Sequence, residues 1–233
     1  MFMNPILLDY CKRFQKEPNI QIETFFTNYT LETYRENLPY LYDIENFCLR
    51  LFDALKNQER VCIYADYDTD AVTATGVMYQ ALKDFGFQNL SFYAPDRFVE
   101  GYGMNPEATV KLAMQSDLII SVDCGINSVL EAQAIKELSC DLIITDHHHL
   151  QADLPDCLGV INCRLAQKHD RKNYDCPKYI SQNISETWQK NWKNDLKKNT
   201  NFVTSSVTGV GVAWFCVVWF GYFLEDVKKS TKG

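Results

Sequence analysis

Arg60-Val-Cys-Ile-Tyr-Ala65 running into Asp66-Tyr-Asp-Thr-Asp70 is the stretch that decides the fold. A short apolar run that breaks off into acid reads as a strand buried on both faces, and such strands belong to parallel sheets covered by helices. Helical spacing follows at once through Val77, Ala81, Leu82 and Phe85 and stops at Gly86. The alternation then repeats. Leu90-Ser-Phe-Tyr-Ala94 precedes a helix begun by Pro106 and running to Gln115, and Leu118-Ile-Ile-Ser-Val122 precedes a helix over Ser128 to Leu138. Leu142-Ile-Ile-Thr145 leads into a polar loop, and Gly159-Val-Ile161 adds a fifth short strand. Upstream, Ile44, Phe47, Cys48, Leu51 and Leu55 line one side of an amphipathic helix, with Arg50, Asp53 and Lys56 on the other. The pattern predicts an α/β fold, a parallel sheet of about five strands with helices on both faces.

In such sheets the ligand site forms beyond the carboxyl ends of the strands. Those ends carry Asp66, Asp68 and Asp70, then Asp123-Cys-Gly125, then Asp146-His147-His148-His149. Five aspartates and three of the four histidines therefore converge from three strands. One aspartate after a strand is ordinarily a turn or cap residue, but three independent strand ends with ligand-type side chains point to a site. Mutual repulsion in that cluster calls for cations or protons. Oxygen and imidazole donors suit Mn²⁺ or Mg²⁺ better than a thiolate-selected zinc. A bridging aspartate can hold two such ions about 3.5–4 Å apart for attack on phosphorus.

Composition narrows the class. The chain has 233 residues, 46% of them hydrophobic and 23% charged, which excludes a disulfide-stapled miniature and a wholly disordered chain. A net charge of −7 excludes a general basic coat for nucleic acid. Nine scattered cysteines, never spaced as Cys-x-x-Cys, read as free thiols in a reducing compartment, and the N-terminus lacks a signal-peptide pattern, so a cytoplasmic location is expected.

Taken jointly, Asp66-Tyr-Asp-Thr-Asp70, Asp123-Cys-Gly125 and Asp146-His-His148 resemble motifs of the DHH phosphoesterase family. Tyr64–Thr75, Ala94-Pro-Asp-Arg-Phe98 with Gly101-Tyr-Gly-Met-Asn105, and Thr208-Gly-Val-Gly-Val212 resemble its RecJ branch, single-strand-specific 5′→3′ DNA exonucleases. The likeness covers roughly residues 40–165 and resumes near Thr208. It implies a Rossmann-like DHH domain with a two-metal Mn²⁺ or Mg²⁺ site. Asp68, Asp70, Asp123 and His147 would be ligands, Asp123 the bridge and Asp66 a weaker ligand. His148 would face the scissile phosphate, with Asp146 orienting its neighbours and Asp123 completing the catalytic set. Arg97, Gly101 and Gly103 are candidates for phosphate contact, against the plainer readings of a surface arginine and an ordinary turn. Ala65 and Ala71 stand where the family usually has glycine, so strain is expected at Ala71 if its backbone needs positive φ.

Residues 1–40 are polar and aromatic without a clean period and read as a loosely packed lead-in with one or two short helices, and the resemblance implies a DHH domain over 41–233, incomplete at its C-terminus, with a basic insertion at about 164–205. Between Arg164 and Lys198 nine basic residues face four acidic ones, a local balance of +5. That segment reads as a solvated loop or as a DNA-guiding arm, and its Trp188 and Trp192 as a packed helix face or as base-stacking platforms. Val207 to Leu224 is nearly long enough to span a bilayer, but its start matches the glycine motif, so a buried helix beside the sheet is expected and no membrane partner. The implied activity is exonucleolytic hydrolysis of single-stranded DNA in repair and recombination, with a helicase or a single-strand-binding protein as partners. The alternatives are a DHH-type small-nucleotide phosphodiesterase or phosphatase, and a truncated inactive homologue.

Overall fold

The computed structural model describes residues 38–96, 98–101, 103–165, 178–196 and 207–230. The chain divides between Leu38 and Pro39, and every element below lies in Pro39–Gly233. The short helices expected in the lead-in fall on residues 1–37, outside the described ones. Strands β1 (Val61–Ala65), β2 (Leu90–Tyr93), β3 (Leu118–Val122), β4 (Asp141–Asp146) and β5 (Gly159–Asn162) form one sheet in the order β2-β1-β3-β4-β5, every neighbouring pair parallel. Helices α1 (Ile44–Asn57), α2 (Thr69–Phe85), α3 (Pro106–Ala113), α4 (Val129–Glu137), α5 (Glu186–Leu196) and α6 (Gly209–Ser230) complete the described elements, with one 3₁₀ turn, Cys163–Leu165, directly after β5.

The two-residue period of the strands explains why both faces are covered. Cys62 and Tyr64 of β1, Ile119 of β3, Leu142 and Ile144 of β4 and Val160 of β5 point to one side, where Ala108 and Ala113 of α3 and Ala132 and Ile135 of α4 meet them. The alternate residues, Ile63, Ile120, Ile143 and Ile161 among them, are fully buried against the other layer, in which α1, α2 and α6 pack on the sheet and on one another. With both faces apolar, the strands lose the alternation of a half-exposed sheet, and this is why they are legible only as short continuous runs.

Local chemistry sets the helix ends. The Asp68 carboxylate caps α2 by accepting from Ala71 N at 2.9 Å, and Gly86 closes the helix at φ 105°. Ala71 is therefore buried in the first helical turn with ordinary helical backbone, so the anticipated strain at this position does not arise. Asn105 caps α3 in the same way, with Pro106 as the first helical residue.

Two expectations change. The polar side of α1 is not solvated: Arg50 and Asp53 are 5% and 2% exposed. Arg50 bonds Glu59 and Asp141, each at 2.6 Å, while Asp53 accepts from Tyr179 Oη at 2.8 Å, Ser181 Oγ at 2.5 Å, Gln182 N at 3.2 Å and Asn183 Nδ2 at 2.9 Å. The described part of the basic segment, 178–196, is thus fastened over α1 rather than left as a solvated loop. Trp188 and Trp192 of α5 stack on each other at 6.0 Å and set their edges against Phe223 of α6, which fills the role of a packed helix face rather than of a platform for bases. Residues 166–177 and 197–206 of that segment lie outside the described ones.

The Asp53 cluster yields a stability test. Asp53→Ala strands four donors, so we expect a loss of about 3 kcal/mol or more, read as a lower denaturant midpoint at unchanged slope. Proteolysis of the variant should begin within 179–183. Cleavage first at any other described segment would contradict the anchoring role.

Candidate metal centre

Register brings the acidic residues to one level. Ala65 pairs with Val122, Val122 with Thr145, and Asp146 with Asn162, so Asp66, Asp123 and Asp146 fall side by side at the carboxyl edge of the three central strands. The chain leaves β1 toward β2 on one side and returns to β3 on the other, and the crevice opened by that reversal is where ligands bind in such sheets. Asp66, Asp123 and Asp146 are each about 1% exposed.

Asp123 is the centre of the cluster. It sits at φ 60°, a left-handed conformation rare for a residue with a side chain, held by its N–H donating to Thr145 O at 2.9 Å. Its Oδ1 is buried without a hydrogen bond and lies 3.1 Å from His147 Nε2. Burial, then the charges of Asp70 and Asp68, push its pKa up to about 8. A carboxylate in that state needs a cation or a proton, and ligand atoms of Asp123, His147 and His148 lie within 4.8 Å of one another. The donor set thus fits a divalent cation held by oxygen and imidazole.

The imidazoles are organised by Asp146. Its Oδ1 accepts from His147 N at 2.6 Å and His148 N at 3.0 Å and contacts His148 Nδ1 at 2.7 Å, while Oδ2 accepts from Ile126 N at 3.0 Å. Burial alone would raise Asp146, but the His148 side chain and these N–H groups outweigh it and hold it low. His148 is raised in turn, chiefly by its hydrogen bond to Asp146. The contact of Nδ1 with Asp146 fixes the orientation of the ring. The two rings lie 4.5 Å apart.

The remaining candidates divide. Asp66 is raised by burial and accepts from Tyr67 N at 2.8 Å. Asp68 is exposed and serves as the α2 cap. Asp70 lies 3.7 Å from His147 Nε2, and both its oxygens accept main-chain N–H groups, from Gly209 and Val210, at 2.8 Å. The N-terminus of α6 is therefore docked on the cluster, a contact that the glycine motif hinted at but did not specify. Gly101 and Gly103 adopt φ 79° and 84°, a conformation that favours glycine, in a loop tied to β1 by Asn105 N donating to Tyr64 Oη at 2.8 Å. Gly103 lines a cavity of about 310 Å³ together with Asp146, His148, Asn127 and Gln151. Arg97 lies outside the described residues. Two residues that the strand-end pattern passed over, Asn162 and Arg164, also reach the cluster: Asn162 Nδ2 donates to His148 O at 3.0 Å and Arg164 Nε to His147 O at 2.5 Å.

Gly209 has a steric reason to be glycine, because a Cβ there would stand 2.1 Å from Asp123 Oδ1. Gly221, further along α6, would place a Cβ 3.5 Å from Phe85, an ordinary contact. We expect Gly209→Ala to cost about 1–3 kcal/mol through overpacking and Gly221→Ala to gain up to about 1 kcal/mol in helix propensity. Thermal unfolding of the two variants checks this, and equal midpoints would refute the close approach of α6 to Asp123.

The model of the DHH family N-terminal domain matches residues 60–196. The chain is 46% identical over 114 residues, 48% of its length, to the single-stranded-DNA-specific exonuclease RecJ of Bacillus subtilis (strain 168), of which it covers 14%. It is 29% identical over 184 residues, 78% of its length, to the RecJ of Salmonella typhimurium, of which it covers 26%. The chain thus spans about a quarter or less of these relatives. Among solved structures, exonuclease RecJ bound to manganese superposes with a TM-score of 0.62 at 24% identity, covering 80% of this chain and 39% of that one. RecJ from Thermus thermophilus in complex with Mn²⁺ gives 0.56 at 24% identity over 81% of this chain and 22% of that one. These superpositions show a common fold.

Proposed function

Because the chain belongs to the DHH family, we propose that it is the phosphodiester-hydrolysing portion of a RecJ-like exonuclease acting on single-stranded DNA with Mn²⁺ or Mg²⁺. The observation that supports this most is the buried Asp123 Oδ1, outside any hydrogen bond and 3.1 Å from His147 Nε2. Asp123, Asp68, Asp70 and His147 would hold the cations, with Asp66 as a weaker ligand. Bound there, the cations would supply a water activated at neutral pH and neutralise charge on the phosphate. The protein's own groups do the rest. His148, positively biased by Asp146, presents Nε2 to a phosphate oxygen as a donor. Asp146 fixes the ring and, through two main-chain N–H groups, the loop that carries it. Arg97, Gly101 and Gly103 would supply further contacts to the phosphates. A role in repair and recombination, helicase or single-strand-binding partners, and a cytoplasmic location, which suits the seven buried free thiols among the described residues, belong to the same proposal, as does the division into a 1–40 lead-in and a 41–233 catalytic domain.

Mn²⁺ titration calorimetry and degradation of a 5′-labelled single-stranded oligonucleotide test it together. The wild-type chain should bind Mn²⁺ and release label only in its presence, while Asp123→Asn should do neither above background. No Mn²⁺ binding by folded wild-type protein, or undiminished release by the variant, would overturn the assignment. Turnover of dinucleotides without attack on longer strands would move the substrate to the small-nucleotide class.

A further inference from the structure

His147 and His148 stand beyond the end of β4, where no ladder reaches them. Their main-chain groups still need partners, since a half-buried peptide that loses water must bond elsewhere. Both N–H groups go to Asp146 Oδ1. Both carbonyls go to β5 and the turn that follows it: His148 O accepts from Asn162 Nδ2 at 3.0 Å, and His147 O accepts from Arg164 Nε at 2.5 Å. All four groups of the two residues are thus held by side chains, two from one side and two from the other.

The two donors are themselves linked. Asn162 is 3% exposed, sits in register with Asp146 as the last residue of β5, and its Oδ1 accepts from Arg164 N at 2.8 Å. The Asn162 amide therefore bridges the 3₁₀ turn and the histidine loop, and turning the amide over would break both bonds. Arg164 has no acidic partner among the described residues, so its ordered contact is with a carbonyl rather than with a carboxylate. Counted by charge, Arg164 looked like the first residue of the basic segment; by contact it belongs to the metal centre.

We propose that Asn162 and Arg164 are positioning residues that set both imidazoles by gripping the main chain of His147 and His148 from β5. The proposal deepens the metal-centre reading and rests on it for the identity of what the imidazoles meet. Groups placed this way around ligands commonly tune affinity as strongly as some ligands do.

The test uses Asn162→Ala, Arg164→Gln and Arg164→Lys in the full chain. Amide exchange at His147, His148 and His149, followed by NMR without added metal, should accelerate roughly tenfold or more in all three variants while β1 and β3 amides keep their protection. Mn²⁺ affinity by calorimetry should fall roughly 10- to 100-fold. Arg164→Lys is informative because it keeps the charge and loses the guanidinium Nε, so full recovery by lysine would show that charge alone matters and overturn the positioning role. Unchanged exchange at the histidine loop in Asn162→Ala would overturn it as well. Should Asn162→Ala fail to fold, Arg164→Gln, which leaves both Asn162 bonds in place and removes only the grip on His147 O, decides by the same loop exchange. Faster loop exchange in variants of a wild type that binds no Mn²⁺ would sustain the positioning and defeat the metal reading instead, so the two failures are distinguishable.

Discussion

The arrangement of this domain follows from one electrostatic constraint, the concentration of carboxylates at the carboxyl edge of β1, β3 and β4. Parallel pairing leaves Asp66, Asp123 and Asp146 at one level with almost no solvent access. Each is relieved differently. Asp146 is given three N–H groups and an imidazole, and is held low. Asp66 has one N–H and is raised by burial. Asp123 keeps an oxygen with no hydrogen bond, under the added repulsion of Asp70 and Asp68, and is raised most. The gradient across three neighbouring strands separates a carboxylate that orients histidines from one left with a buried oxygen outside any hydrogen bond. That separation follows from what each backbone contributes: the β4 end turns N–H groups inward, whereas the β3 end spends its N–H on Thr145 O and puts Asp123 at positive φ.

Much of this was readable in the chain itself. The five strands appear as short apolar runs because both faces are buried, and the ends of those runs carry the acids, so the fold class and the clustering of Asp66–Asp70, Asp123 and Asp146–His148 follow from local pattern and topology alone. What stayed hidden depends on contacts distant in sequence. Nothing near Asp53 signals that it will meet Tyr179 and Ser181, 126 and 128 residues later, so its charge reads as solvated. Arg164 was masked by its neighbours, since a run of basic residues invites a count of charge, whereas the useful fact was its bond to a carbonyl. Ala71 went the other way. Its departure from glycine suggests strain only if the turn continues past Asp70, but the Asp68 cap starts α2 early enough to make alanine a good residue there.

The same reasoning resolves the apolar helix α6. An 18-residue window within its 22 residues has a mean hydropathy of 1.5, and length and composition alone would allow it to cross a membrane. Composition cannot separate that case from a core helix, because both need an apolar surface. Its contacts tie it to the sheet in the described structure. The first two N–H groups of α6 are committed to the Asp70 carboxylate, its Gly209 is pressed against Asp123, and Trp219 Nε1 donates to Pro39 O at 2.9 Å. Phe220 and Phe223 stack on one another and meet Phe85, Phe87, Phe52 and the two tryptophans of α5. A carboxylate at the positive end of a helix is favoured twice, by the orphan N–H groups and by the macrodipole. Asp70 thereby joins two functions in one group: it closes the start of α6, and it leaves its second lone pairs facing His147. The start of the longest helix in the described chain is therefore held by one carboxylate of the cluster and lies against another, which makes the position of α6 part of the electrostatics of the site rather than a scaffold around it.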